Sequence, residues 1–126
     1  MYNVLIIEDD EVNKKMVKVF LRDKFITEEV SDEESALSLT SSKQFDIILL
    51  DINLKGKDGI ETLRKIRMFP GYENTPVIAI TAYAMVGDRE KFLEMGCDYY
   101  ISKPYTKDQL LETLNIVTDK LKNNHL

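Results

Sequence analysis

Short blocks of uninterrupted apolar residues alternate along this chain with longer segments whose apolar positions recur every three or four residues. Val4-Leu5-Ile6-Ile7, Phe45 to Leu50 and Val77-Ile78-Ala79-Ile80 are continuous blocks, the pattern of strands buried on both faces. Phe25 to Val30 is more polar and predicts a strand nearer an edge, and Tyr99-Tyr100-Ile101 predicts a fifth. Helical spacing fills the intervals. Val12, Met16, Val19 and Phe20 mark a helix from about Asp10 to Asp23, and Ser31 or Asp32 can cap one carrying Ala36, Leu37 and Leu39. Gly59 to about Met68 reads as a helix through Ile60, Leu63 and Ile66, closed by Pro70-Gly71. A fourth carries Phe92, Leu93 and Met95 and ends at Gly96, which suits a left-handed cap. The last runs from about Lys107 to Lys120, with Leu110, Leu114, Val117 and Leu121 on one stripe.

Five strand–helix units in succession predict an α/β fold, a parallel sheet covered by helices on both faces. No linker or repeat divides the 126 residues, so residues 1–121 are read as one domain and 122–126 as a short polar tail. A net charge of −5 argues against duplex nucleic acid as a direct partner, because phosphate affinity needs clustered Lys and Arg. No apolar run is long enough to span a bilayer, and the N-terminus lacks the features of a secretory signal. One cysteine, Cys97, excludes an internal disulfide framework and fits a reducing cytoplasm, with a half-buried inert thiol as its role. The lone His125, in a polar tail, is no metal site.

In an open α/β sheet, ligands bind beyond the carboxyl ends of the strands. Here those ends carry Glu8-Asp9-Asp10, Asp51, Thr81-Ala82 and Ser102-Lys103-Pro104. Crowded carboxylates in a partly desolvated cleft repel by several kcal/mol. A hard divalent cation relieves that repulsion, and Mg²⁺ characteristically shares one or two carboxylates with a phosphate. Glu8, Asp9 and Asp51, with the backbone carbonyl of Asn53, fit such a shell; Lys103 can neutralise a further negative charge and the Thr81 hydroxyl can donate to it. Plain structural accounts exist for each residue alone. Asp9 or Asp10 can cap the first helix, Asp51 can open a turn, Thr81 can end a strand and Lys103 can pair with a surface acid. Their convergence on one sheet edge favours a site.

The stretches LIIEDDEVN, ILLDINLKGKDG, VIAITAYAM and GCDYYISKPY, in this order, resemble the receiver domain of two-component response regulators over about residues 2 to 121. The resemblance implies a flavodoxin-like (βα)5 three-layer sandwich with sheet order 2-1-3-4-5. It implies that Asp51 is the phosphoacceptor, that Glu8, Asp9 and the Asn53 main chain hold Mg²⁺, and that Thr81 and Lys103 contact the phosphoryl oxygens. It makes Tyr100 the aromatic that changes position with Thr81, makes the Lys103–Pro104 bond cis, and makes the face of helix four, strand five and helix five, including Ala84 to Val86, the part that switches. The implied donor is phosphohistidine on a histidine kinase or histidine phosphotransfer protein, docking on the first helix with Pro104-Tyr105. Such a domain modifies only itself and is not an enzyme in the turnover sense.

The sequence departs from the family where Lys55 replaces a common proline, and Lys55 and Lys57 add positive charge nearby. Asn53 and Tyr83 occupy positions that in the family flank the path of the hydrolytic water, and a bulky Tyr83 would lengthen the phosphoryl lifetime. A Mg²⁺-dependent phosphohydrolase of the haloacid dehalogenase type is one rival, but it requires an acid two residues after its nucleophile, where this chain has Asn53. A nucleotide or flavin module lacks its glycine motif. A pseudo-receiver working only through protein contact predicts loss of Asp51 or Lys103, and both are present. The chain carries no output domain, so it acts by contact or is one domain of a longer regulator or hybrid kinase; the residues leave both open. The kinase, the pathway and the downstream target are not encoded in any motif.

Overall fold

The computed structural model describes the chain except residues 55–56, 83–87 and 124–126, and excepting the side chains of Lys57, Asp88 and Arg89. The expectations attached to Lys55, the Lys57 side chain, Tyr83, Ala84 to Val86 and His125 therefore lie outside the described residues.

The apolar blocks become the middle of the molecule. Strands β1 (Asn3–Ile7), β2 (Ile26–Val30), β3 (Ile47–Asp51), β6 (Val77–Thr81) and β7 (Tyr99–Ser102) form one parallel sheet in the order β2-β1-β3-β6-β7. Counting only these five, that is the 2-1-3-4-5 order of the flavodoxin-like sandwich. The two remaining strands, β4 (Asn53–Leu54) and β5 (Lys57–Asp58), pair antiparallel as a small hairpin just beyond β3. The more polar β2 lies at an edge, as its composition predicts.

Helices α1 (Glu11–Leu21), α2 (Glu33–Ser42), α3 (Gly59–Arg67), α4 (Asp88–Glu94) and α5 (Lys107–Asn123) complete the units. Alternation along each strand sends side chains to two separate cores. Leu5, Ile7, Ile48, Leu50 and Ala79 meet Ala36 of α2 and Ile60, Leu63 and Ile66 of α3. Val4, Ile6, Leu49, Ile78 and Ile80 meet Val17 and Leu21 of α1 and Leu110, Leu114 and Val117 of α5. This two-sided burial explains why the strands read as unbroken apolar runs.

Two helical stripes differ from the sequence reading. On α1, Val12 is 75% and Val19 50% exposed, and the buried anchors are Val17 and Leu21. Near α4, Phe92 packs toward the core, whereas Leu93 and Met95 face outward. In both places spacing identified a helix, but the sheet chose its inward face. Helix α5 also runs past Lys120 to Asn123, into the stretch read as tail.

Caps follow local chemistry. Asp10 closes the α1 N-terminus by accepting from the backbone N–H groups of Val12 and Asn13, and Asp32 rather than Ser31 caps α2 by accepting from Ser35. Gly96 takes φ +103°, the left-handed conformation its position after α4 predicts. Arg67 fastens α3 to its surroundings, donating to the carbonyls of Tyr72, Thr75 and Gly96 and pairing with Asp98. Gly59 is required for a different reason. A Cβ there would lie 2.6 Å from the Asp51 carbonyl oxygen and 2.9 Å from Ile52 Cα, while its own N–H donates to the Ile52 carbonyl at 2.7 Å. The start of α3 thus presses directly on the backbone that carries Asp51. Gly59→Ala is expected to destabilise the chain by about 2 kcal/mol through overpacking against backbone that cannot yield. Urea unfolding measures this, and an unchanged midpoint would show that the contact relaxes freely.

Candidate functional site

The sheet register decides which polar residues meet. Ile7 pairs with Leu50 and Asp51 with Ile80, so Glu8, Asp51 and Thr81 emerge side by side at the carboxyl edge of the three central strands. Backbone hydrogen bonds extend the frame beyond the strands: Glu8 N–H donates to the Val30 carbonyl, Ile52 N–H to Ile80, and Lys103 N–H to Thr81. The last of these, at 2.7 Å, fixes where the Lys103 stem departs. The Lys103–Pro104 bond is cis, as the resemblance implied.

Glu8, Asp51 and Thr81 are nearly buried, at 3%, 4% and 2% exposure. Asp9 is half-buried beside them. Because Asp10 serves as the α1 cap, the carboxylate of Asp9 belongs to the cluster instead, and oxygens of Glu8, Asp9 and Asp51 all lie within 4.8 Å of one another. Lys103 Nζ stands over the group, 3.3 and 3.4 Å from the two Glu8 oxygens and 3.4 Å from Asp51 Oδ2. Asp51 Oδ1 accepts from the backbone N–H of Asn53 at 3.0 Å. Thus one oxygen of Asp51 is oriented by the following turn, while the other faces the ammonium group. Of the sequence-derived set, Glu8, Asp9, Asp51 and Lys103 are brought together, while the contact that exposed Asn53 makes with Asp51 is through its main-chain N–H rather than the carbonyl expected from the sequence.

Electrostatics at the rim are unresolved by protein groups alone. Burial, together with hydrogen bonding to and repulsion from Asp51, pushes the Glu8 carboxyl up to about 7 despite Lys103 beside it. For Lys103, burial disfavours the charge, but Glu8 and Asp51 outweigh it and raise its pKa. Three oxygen donors of this hardness, one of them driven toward protonation by burial and by its neighbours, form a set that could hold a small divalent cation.

Tyr100 is half-buried on β7, its ring 5.8 Å from that of Phe92 and inclined by 44°. It lies two positions before Ser102, the residue paired with Thr81. Two residues that the sequence reading placed on the docking side, not in the acidic cluster, are also neighbours of the site. Asn13 Nδ2 donates to Glu8 Oε1 at 3.3 Å, and Tyr105, partly buried, has its phenol pushed up to about 12 by burial and by the charges of Glu8 and Asp51. Asn13 had one signal: it follows the Asp10 cap by three residues, on the turn that leans back toward the strand end. Tyr105 had only its closeness to Lys103 in sequence. Cys97 is buried rather than half-buried as expected, and its thiol is raised to about 11 by burial and by Asp98, which disfavours the reactive thiolate.

The Glu8 shift has a defined consequence for stability. Its carboxyl titrates near 7 in the folded chain against 4.5 as an ordinary glutamate, so folding favours the protonated form. That contribution is fully present below pH 4.5 and is lost as pH rises through 7. In chelator, Glu8→Gln is expected to be more stable than the parent by a margin absent near pH 4.5 and reaching about 1–3 kcal/mol at pH 8. Urea midpoints across that range measure it, and a margin independent of pH refutes the upward shift that burial and Asp51 impose on Glu8.

Comparison with known proteins places this geometry. The model of the response regulator receiver domain matches residues 4–115. The polar-differentiation response regulator DivK of Brucella anthropi is 34% identical over 113 residues, 89% of this chain and 92% of that protein. The histidine-protein kinase BarA of Escherichia coli K12 is 35% identical over 108 residues, 85% of this chain but 12% of the kinase, so the chain spans a small part of the length of such relatives. Among solved structures, chemotaxis protein CheY4 of Vibrio cholerae superposes with TM-score 0.86 at 28% identity, covering 93% of this chain and 98% of that one. The receiver domain of sensor histidine kinase PA1611 from Pseudomonas aeruginosa PAO1, described with magnesium coordinated in its active site cleft, gives 0.80 at 32% identity, covering 90% and 93%. With an acidic cluster able to hold a metal at the edge where its sheet ends, the chain belongs to the response regulator receiver domains of two-component signalling.

Proposed function

We propose that this chain is a phosphoacceptor of a two-component system or phosphorelay, working in the cytoplasm, in which Asp51 takes a phosphoryl group from phosphohistidine on a histidine kinase or histidine phosphotransfer protein. The observation that carries this reading is the position of Lys103 Nζ between Glu8 and Asp51, above three carboxylates with oxygens within 4.8 Å of one another. An oxygen of Asp51 attacks phosphorus while the phosphorus–nitrogen bond to the donor imidazole breaks, leaving an acyl phosphate on Asp51 and a neutral imidazole after proton uptake. The Asn53 N–H on Asp51 Oδ1 sets the carboxylate plane for that attack. Lys103 neutralises charge on the phosphoryl oxygens, and the Thr81 hydroxyl donates to one of them. Mg²⁺, when bound, supplies the remaining positive charge; the side chains of Glu8, Asp9 and Asp51 and the Asn53 carbonyl are the groups that would hold it. The domain is consumed as a substrate and reset by hydrolysis, so it catalyses only its own modification.

The reading extends to the signal. Thr81 turning toward the phosphoryl group vacates space that the Tyr100 ring enters, shifting a pre-existing equilibrium. Tyr100, Phe92 and Ile116 line a groove of about 420 Å³ between α4, β7 and α5, where that ring movement would be felt. On the input side, Val12 and Val19 are exposed on α1, and Pro104 is exposed beside half-buried Tyr105; apolar side chains left uncovered there support docking of the phosphohistidine partner rather than a core role.

Incubation with acetyl phosphate and Mg²⁺ is expected to add a single phosphoryl group by intact mass. The adduct should vanish in Asp51→Asn and with chelator. Turnover of unrelated phosphoesters without an adduct would favour the phosphohydrolase instead. Tyr100→Ala should accept the phosphoryl group as the parent does, yet lose the phosphorylation-dependent NMR shift of the Ile116 methyl groups. A shift of undiminished size would remove the ring from the switch.

A further inference from the structure

We propose that Asn13 is a positioning residue for Glu8: its side-chain amide keeps the Glu8 carboxylate turned to the cation position when Lys103 is drawn away to an arriving phosphoryl group. This rests on the phosphoacceptor reading and adds a residue to which no role has been given.

Glu8 has three side-chain torsions, and holding its carboxylate in one orientation costs conformational entropy that its partners must offset. Lys103 is a poor sole restraint. It divides itself between both Glu8 oxygens and Asp51 through long contacts of 3.3 to 3.4 Å, and its stem is flexible. A phosphoryl group on Asp51 carries more negative charge than the carboxylate it replaces, and therefore competes for the ammonium. Asn13 is held differently. Its backbone N–H is bound by the Asp10 cap at 3.1 Å, and α1 is anchored by buried Val17 and Leu21. From that fixed turn its Nδ2 reaches Glu8 Oε1 at 3.3 Å, and an ionised carboxylate can only accept, so the amide nitrogen is the atom that faces it. The donor is neutral, so it orients Glu8 without competing with a cation for the negative charge. Asp10 thus acts twice at one remove, capping the helix and fixing the residue that steadies Glu8.

The test is Mg²⁺ titration by calorimetry of Asn13→Leu, which keeps bulk without the donor, and Asn13→Ala. Both residues are good helix formers. Each is measured alone and in a Lys103→Met background, where Glu8 has lost the ammonium. Removing the amide is expected to weaken Mg²⁺ by about two- to threefold with Lys103 present, and by about tenfold or more without it, in the range typical for groups that support metal ligands. Equal factors in the two backgrounds, as a general defect of α1 would give, overturn the proposal, as does unchanged affinity in both. A parent chain that neither binds Mg²⁺ nor takes a phosphoryl group from acetyl phosphate overturns the phosphoacceptor reading itself. A parent that does both, with variants that match it, removes only the role of Asn13.

Discussion

Two carboxylates placed at the ends of buried, adjacent strands are the constraint around which this molecule is arranged. Glu8 and Asp51 follow apolar blocks that are at most 1% exposed, so they leave the core where water is already scarce. Burial and the neighbouring Asp51 raise the cost of charging Glu8, and Lys103 relieves only part of it. A protein selected for stability alone would gain from replacing one of them. Their retention at a shared edge, with a third acid alongside, makes the rim a place where positive charge from outside is favourable.

The rest of the fold serves to keep that rim in position. Parallel pairing of β1 with β3 and β3 with β6 sets the strand ends level. Gly59 approaches the Asp51 carbonyl closely, and β4 pairs with β5 just beyond Asp51. Arg67 ties the segment before β6 and the segment before β7 to α3, and Glu33 of α2 accepts from Thr62 and pairs with Lys65 of α3. These supports gather on β3 and its neighbours. The face of β7 is built otherwise: Tyr100 is half-buried against Phe92, beside a groove. Asp51 thus sits on closely packed backbone, next to a face whose half-buried ring borders a groove.

Relatives of two kinds share this domain, a response regulator that it nearly spans and kinases of which it matches a small part. What they have in common with this chain is the receiver domain. The exposed Val12 and Val19 leave apolar surface on α1, the helix that begins at the sheet edge.

Sequence by itself determined the strands, their parallel sheet and the identity of the acidic rim. Continuous apolar blocks are demanded wherever a strand is covered twice, and polar residues immediately after such blocks have only the sheet edge to occupy. Helix positions were equally legible, because periodicity depends on local geometry. Tertiary structure decided the rest. Only the sheet could choose Val17 and Leu21 over Val12 and Val19 as the inward face of α1, since both sets satisfy helical spacing. Only the folded turn could assign the cap to Asp10 and leave Asp9 for the cluster, because two adjacent aspartates are equivalent until backbone N–H groups point at one of them. The β4–β5 hairpin is two residues on each side, too short to leave a pattern. Asn13 and Tyr105 joined the site for the same reason: their chemistry depends on which side chains they approach in space, and that distance is set by packing of α1 and of the chain after β7 rather than by any local preference.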